Sequence, residues 1–431
     1  MRRILFVALC FLAVSAFPAI ARQWTLRECI DYARTNNIQV QNAQLNHAAA
    51  EESLLQAQAS RFPTLNASSS QNIAFNNGVD PYYSGNYALS SGVTLFNGGR
   101  INNSIRQAEI NAMAGEYDIE AARNSIEVAV TQAYLNILYS KESVTTAQNT
   151  VESARAQWER AKAMYDEGSI SLSEYAQMES QYSSDLYQLA VNESSLAQYT
   201  LNLKQLLELG LNEDFSVFYP EIGDENVIAA LPTVSSVYSV AEDILPDMKS
   251  GRLSIEAAKL SEDIAHASAI PSISASASVS TRNIYNLDRP FAEQLADNVA
   301  GGVGVTLSIP IINGRSVKTS VARAKIQTQQ AALNYASSQK NLLSTLEGLY
   351  QDVVSAQSRY QAAQKKLQSA ELSYNLASEK YNEGMVNPVE LLTEKNTYLA
   401  AQQSPRRGRW PPRSPGLPRP RFPSSRPHGP W

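Results

Sequence analysis

Glu390 and Glu394 stand one helical turn apart, so their carboxylates share a helix face and could attract cations. A merely solvated helix face is the plainer reading of the same spacing. Little else in the 431 residues has the spacing that chemistry requires. His47, His266 and His428 share no neighbourhood, which argues against a His-based metal site. Cys10 lies in a segment that reads as removed, and Cys29, left alone, cannot close an internal disulfide. Cys29 sits in an amphipathic stretch as a small packing residue. No convergent Ser/His/Asp or Cys/His set is visible. The Asn-Gly pairs join strands to helices and form no phosphate loop. The expectation is therefore no catalytic residue, no cofactor, no metal and no enzyme. A net charge of −5, with 18% charged residues, leaves no basic footprint for nucleic acid.

The elements that position these residues begin after an export signal. Arg2 and Arg3, the apolar run 4–17 and Ala19-Ile20-Ala21 read as a cleavable secretory signal over 1–21. The run is shorter than the ~20 residues a spanning helix needs, and Leu9 before Cys10 argues against a lipid anchor. The remainder is written twice. Ala49, Ala50, Ala57, Ala59 and Pro63 fall on Ala257, Ala258, Ala265, Ala267 and Pro271 at one offset. At a larger offset Tyr165, Glu167, Gly168, Glu174 and Tyr182 fall on Tyr381, Glu383, Gly384, Glu390 and Tyr398. The change of offset predicts a longer second hairpin loop. The repeats are placed at 22–210 and 233–403, with a linker at 211–232 carrying Pro220, Gly223 and Pro232.

Each repeat predicts a helix, two strands, a very long helix and a returning helix. The strands alternate with period two. Ile273, Ala275, Ala277 and Val279 oppose serines; Val303, Val305, Leu307 and Ile309 oppose Gly, Thr and Ser. Tyr87, Leu89, Val93 and Leu95 form the apolar side of the second strand, with Leu65, Ala67, Ile73 and Phe75 on the first. Four strands cannot close a transmembrane barrel, which starts at about eight. Two, three or four chains would have to share one, with Tyr87, Leu89, Val93, Leu95, Ile273, Val279, Val303, Val305 and Leu307 facing lipid. The alternative is a hairpin packed on the helices of a soluble protein. The stretches 101–165 and 316–381 lack Pro and predict helices roughly 95 Å long. Their apolar residues recur at three and four, as in coiled-coil packing. The fold class is mainly α with a small β part.

This order resembles the TolC-like outer membrane efflux protein family from Trp24 to about Gln403. WTLRECIDYARTNN is similar to the family's first helix, and LFNGGR and IPIINGR to its strand-to-helix joints. YDEGSISLSEYAQMESQY and YNEGMVNPVELLTEKNTYLAAQQ resemble its two helix hairpins. The resemblance implies a homotrimer, whose three sets of four strands make a twelve-stranded barrel in outer-membrane lipid. Below it, paired antiparallel helices would form a periplasmic α-barrel. It implies a passive duct of a tripartite efflux or type I secretion system in a Gram-negative bacterium. Such a duct carries small molecules, drugs, metals or proteins. Its partners would be a periplasmic adaptor and an inner-membrane pump of RND or ABC type. Tyr165, Gly168, Tyr381 and Gly384 then mark the periplasmic tip and adaptor contact. Three copies of Glu390 and Glu394 would place six carboxylates in a luminal ring. Tyr381 matches the tyrosine of the family's tip lock, but Val386 stands at the arginine position. The alternative function is a periplasmic coiled-coil spacer without a pore.

After Gln403 the composition turns Pro- and Arg-rich with no acidic residue. The segment 404–431 is expected to be disordered and out of frame, cutting the second returning helix short.

Overall fold

The structure is a computed structural model that describes residues 23–76, 79–210, 213–219, 231–285 and 289–409. The export signal 1–21, most of the linker and the tail from 410 onward lie outside the described residues. Two compact units emerge. One combines 42–121 with 242–341; the other combines the described parts of 1–41, 122–241 and 342–431.

In chain order the elements are β1 (Gln23–Trp24), α1 (Leu26–Asn36), α2 (Ile38–Ala59), β2 (Thr64–Asn76), β3 (Val79–Phe96), α3 (Arg100–Asp166) and α4 (Leu172–Leu206). The second half adds β4 (Ser216–Val217), α5 (Val234–Ile244), α6 (Pro246–Ala267), β5 (Ser272–Ile284), α7 (Phe291–Asp297), β6 (Ala300–Ser308), α8 (Ser316–Asn382) and α9 (Pro388–Arg409). The long helices α3 and α8 have 67 residues each, close to the lengths the uninterrupted sequence predicts.

In the first unit β2, β3, β5 and β6 form one antiparallel sheet in that order. The register sets apolar against apolar. Ala67, Leu89 and Val279 lie in one cross-strand row, and Ala275 and Ile273 face Val305 and Leu307. Directly opposed residues share a face, so the alternation of four separate strands adds into one dry face. That face is open: Leu89 is 47% and Val303 86% exposed. The outer edges of β2 and β6 have no partner among the described residues. The dry band stops at Tyr87. Beyond it Gln71 donates to the Tyr87 hydroxyl (3.1 Å), and the Tyr83 hydroxyl donates to Gln71 (2.6 Å). The helix α7 packs here. The Phe291 ring meets Tyr87 edge-on, and the Thr281 hydroxyl donates to the Leu295 carbonyl (2.6 Å).

The second unit has two cores that mix small and large apolar side chains. One gathers Cys29, Ala33, Val40, Ile126, Val130, Ala133, Tyr134, Ile137 and Leu203. Here β1 and β4 pair in parallel, and the Tyr134 hydroxyl, donating to the Phe218 carbonyl at 2.6 Å, ties the pair to α3. The other core joins Ala161, Met178, Ala377, Tyr381 and Leu391 around two helix reversals.

Several expectations need correction. The single first helix expected of the first repeat is two helices, α1 and α2. It breaks at Asn37, whose backbone is extended and whose side chain donates to the Leu206 carbonyl (3.0 Å) while accepting from Gln39 N (2.8 Å). The linker holds a strand, β4, which was too short to show periodicity. The longer second loop contains the helix α7. In β3 a bulge between Thr94 and Phe96 sets Phe96, not Leu95, opposite Ile273. The last helix passes Gln403 and runs through Ser404 to Arg409. One proline there, Pro405, removes a single helical hydrogen bond; the dense proline run starts only at Pro411.

Candidate functional site

Of the residues singled out at the sequence level, Tyr165, Gly168, Tyr381 and Gly384 lie at the two helix reversals of the second unit, and Glu390 and Glu394 on the helix after the second. Each reversal ends its long helix in the same way. Gly168 N–H donates to the Tyr165 carbonyl (2.9 Å) and Ser169 N–H to that of Met164 (2.7 Å). In the second repeat Gly384 N–H meets the Tyr381 carbonyl (3.1 Å) and Met385 N–H that of Lys380 (2.8 Å). Gly168 has φ +75° and Gly384 +71°, a left-handed conformation that side-chain-bearing residues resist. The next helices start on side-chain caps. Ser171 and Glu174 form a capping box on α4, and the Asn387 side chain accepts from Glu390 N–H (3.0 Å) on α9. Donation from the Ser171 N–H and hydroxyl holds the Glu174 carboxyl below its ordinary range.

Aromatic pairs repeat too. Trp158 stacks on Tyr182 with ring centroids 5.4 Å apart, and Tyr374 stacks on Tyr398 at the same distance. The symmetry then fails in one place. Tyr165 stacks on Tyr175 (5.4 Å), whereas Tyr381 meets an arginine from the other repeat. The Arg160 guanidinium lies 5.5 Å from the Tyr381 ring centroid. It donates to the Asn382 side chain and to the Asn382 carbonyl (3.2 Å). Gln157 reaches across likewise and donates to the Tyr374 hydroxyl (3.2 Å). The buried Tyr381 hydroxyl has no hydrogen-bond partner. Burial pushes its phenol above the ordinary value, Arg160 pulls it down and Glu174 adds to the rise.

A second link ties α4 to α9. Lys395, 2% exposed, places its ammonium 3.3 Å from the buried Asp185 carboxylate. Gln181 donates to the other Asp185 oxygen (2.9 Å). Glu390 is exposed and Glu394 half-buried on the same helix as Lys395. The sequence reading named Tyr165, Gly168, Tyr381 and Gly384 and did not name Arg160, Asp185 and Lys395, of which the structure sets Arg160 beside Tyr381 and Lys395 beside Asp185. Arg160 has no arginine counterpart in the second repeat, so comparing the repeats could not flag it; its partner lies in the other repeat's long helix.

Residues 29–208 and 237–405 match the outer membrane efflux protein family. The chain belongs to that family. It is thus an efflux protein of the Gram-negative outer membrane, and the family is one of channels rather than enzymes. Among curated relatives the efflux protein is 26% identical to the outer membrane protein TolC of Salmonella enteritidis over 153 residues, 32% of this chain and 30% of TolC. That match therefore spans under a third of TolC. It is 25% identical to the probable outer membrane lipoprotein SilC of Salmonella typhimurium over 390 residues, 87% of this chain and 80% of SilC. The fold matches the crystal structure of the outer membrane protein VceC of Vibrio cholerae with a TM-score of 0.73, at 20% identity, covering 90% of this chain and 93% of VceC.

Proposed function

We propose that three copies of this efflux protein close one twelve-stranded barrel and form a passive duct through the outer membrane. The observation that carries this reading is the four-stranded sheet with one open apolar face and two edges unpaired among the described residues. A strand in lipid must have every backbone group paired, so the edges of one chain need the edges of another. From Ile273 to Thr281 the dry face runs about 27 Å along the strand at a rise of about 3.4 Å per residue, comparable to the ~25 Å apolar band of such barrels. The opposite face, rich in Ser, Asn and Gly, then lines a wet lumen.

The remainder follows the family reading. The helices enclose a periplasmic tunnel ending at the Tyr165–Gly168 and Tyr381–Gly384 reversals. These dock a periplasmic adaptor coupled to an inner-membrane pump of RND or ABC type. The cargo is a small molecule, drug, metal or protein. Arg160, in place of the arginine absent at Val386, holds Tyr381 in the closed tip, and Glu390 with Glu394 rings the aperture.

Native mass of protein extracted in detergent from outer membranes tests the core of this reading. The expected result is three protomers, each near the 47.2 kDa full-chain mass less the export signal, and adaptor cross-links that vanish when the two reversals are replaced. A monomer with intact helix content would defeat the shared barrel. It would leave the second reading, a coiled-coil spacer that conducts nothing.

A further inference from the structure

Among its described side chains, the polar face of the four-stranded sheet is nearly free of charge. Its rows read Ser68, Ala88 and Ser280, then Ser70, Asn86 and Arg282. Among the strand side chains that are described, Arg282 is the one charged group. No bulge interrupts β5 against β3 between Ser274 and Ile284. Strict alternation therefore keeps Arg282 on the face of Ser276, Ser278 and Ser280. Its side chain is exposed. The nearest described acidic residues in the chain do not pair with it. Glu293 and Asp297 belong to α7, which packs over Tyr87 and Thr281 on the opposite, apolar face, and Asp297 is paired with Arg289 at 3.2 Å. Arg282 also sits one residue past the Thr281–Tyr87 row, where the dry band ends. On the lumen side that level is the outer mouth of the pore.

We propose that Arg282 sets the charge preference of the outer mouth, as a ring of guanidinium groups that admits anionic solutes over cations. The inference rests on the reading that the polar face lines a lumen. In a wall of hydroxyls, amides and glycines nothing else described competes with the guanidinium field. Rings of Arg or Lys favour anions, and a pore wall of one sign raises the local concentration of the opposite ion. The field reaches about 8–10 Å at physiological salt. The ligand class is small anions, chloride being the simplest and carboxylate- or phosphate-bearing solutes the larger members.

The test is reversal potential across planar bilayers with the full-length protein under a dilute KCl gradient. Arg282→Gln should lower the chloride-to-potassium permeability ratio roughly twofold or more, Arg282→Lys should keep it, and Arg289→Gln should leave it unmoved. A second route avoids reliance on one variant. Arg282→Cys, assembled and then labelled in the bilayer, should regain anion preference with a cationic thiosulfonate and lose it further with an anionic one. Cys29 is fully buried and does not compete for the reagent. A conducting channel whose ratio is unchanged by these substitutions, or moves equally with Arg289→Gln, overturns the role of Arg282 alone. Absence of any conductance from the unmodified protein overturns the lumen reading, and this inference with it.

Discussion

Cys29 and Arg160 show how differently two single residues behave in the same unit. The Cys29 thiol is buried, and burial with the Glu28 carboxylate beside it pushes its pKa up to about 12. Only the thiolate is nucleophilic, so at pH 8 thiol reagents should modify Cys29 in unfolded chains and leave the folded protein untouched; rapid native labelling would contradict this. The linkage has a definite sign. The unfolded thiol releases its proton near 9 and the folded one near 12, so stability present below pH 9 is lost as pH climbs through that window. Tyr134, raised to about 12 chiefly by burial, acts in the same direction. Arg160 is exposed and its work is positional. A cation–π contact at an exposed site contributes about 0.5–1 kcal/mol. Its loss in Arg160→Ala should raise the open-to-closed ratio of the tip roughly two- to fivefold per protomer. Single-channel recording would register this as longer high-conductance dwells, and identical dwell times would exclude Arg160 from tip closure.

At the scale of elements, the returning helices α4 and α9 are joined by the Asp185–Lys395 pair. Two buried charges do not make a strong net bond, but removing one of them leaves the other stranded. Lys395→Met alone should cost about 3–5 kcal/mol, while Asp185→Leu with Lys395→Met should recover most of that loss. Melting temperatures of the three proteins decide it, and equal loss in single and double variants would show that the pair does not act as a unit. Elements also explain which helix boundaries were legible. The long helices could be read from the absence of Pro over 67-residue spans. The break at Asn37 could not, because Asn is tolerated inside helices; its side chain ends α1 and starts α2 through a bond to Leu206, far along the chain. Gly115, the one glycine of α3, is explained the same way: an added Cβ would stand 3.1 Å from the His47 ring on α2.

For the whole molecule the decisive quantity is what one chain leaves open among its described residues: an apolar face, two sheet edges and a pair of carboxylates on a helix. Ion selectivity belongs to this scale because it arises only when copies are arranged about an axis. Glu390→Ala combined with Glu394→Ala should shift the open channel away from cations, and unchanged permeability ratios would return both residues to a solvated face. The sequence by itself determined the strands, the long helices and the glycine reversals, since period, Pro content and turn chemistry are local. It also showed that no chain of four strands can close a barrel. Only the tertiary structure decided which residues meet across the repeats. Arg160 finds Tyr381, Lys395 finds Asp185, and β1 finds β4 through contacts between distant segments that no local pattern encodes. It also set Ser70 and Asn86 beside Arg282, because the register of three strands, not the alternation of one, fixes which side chains share a row.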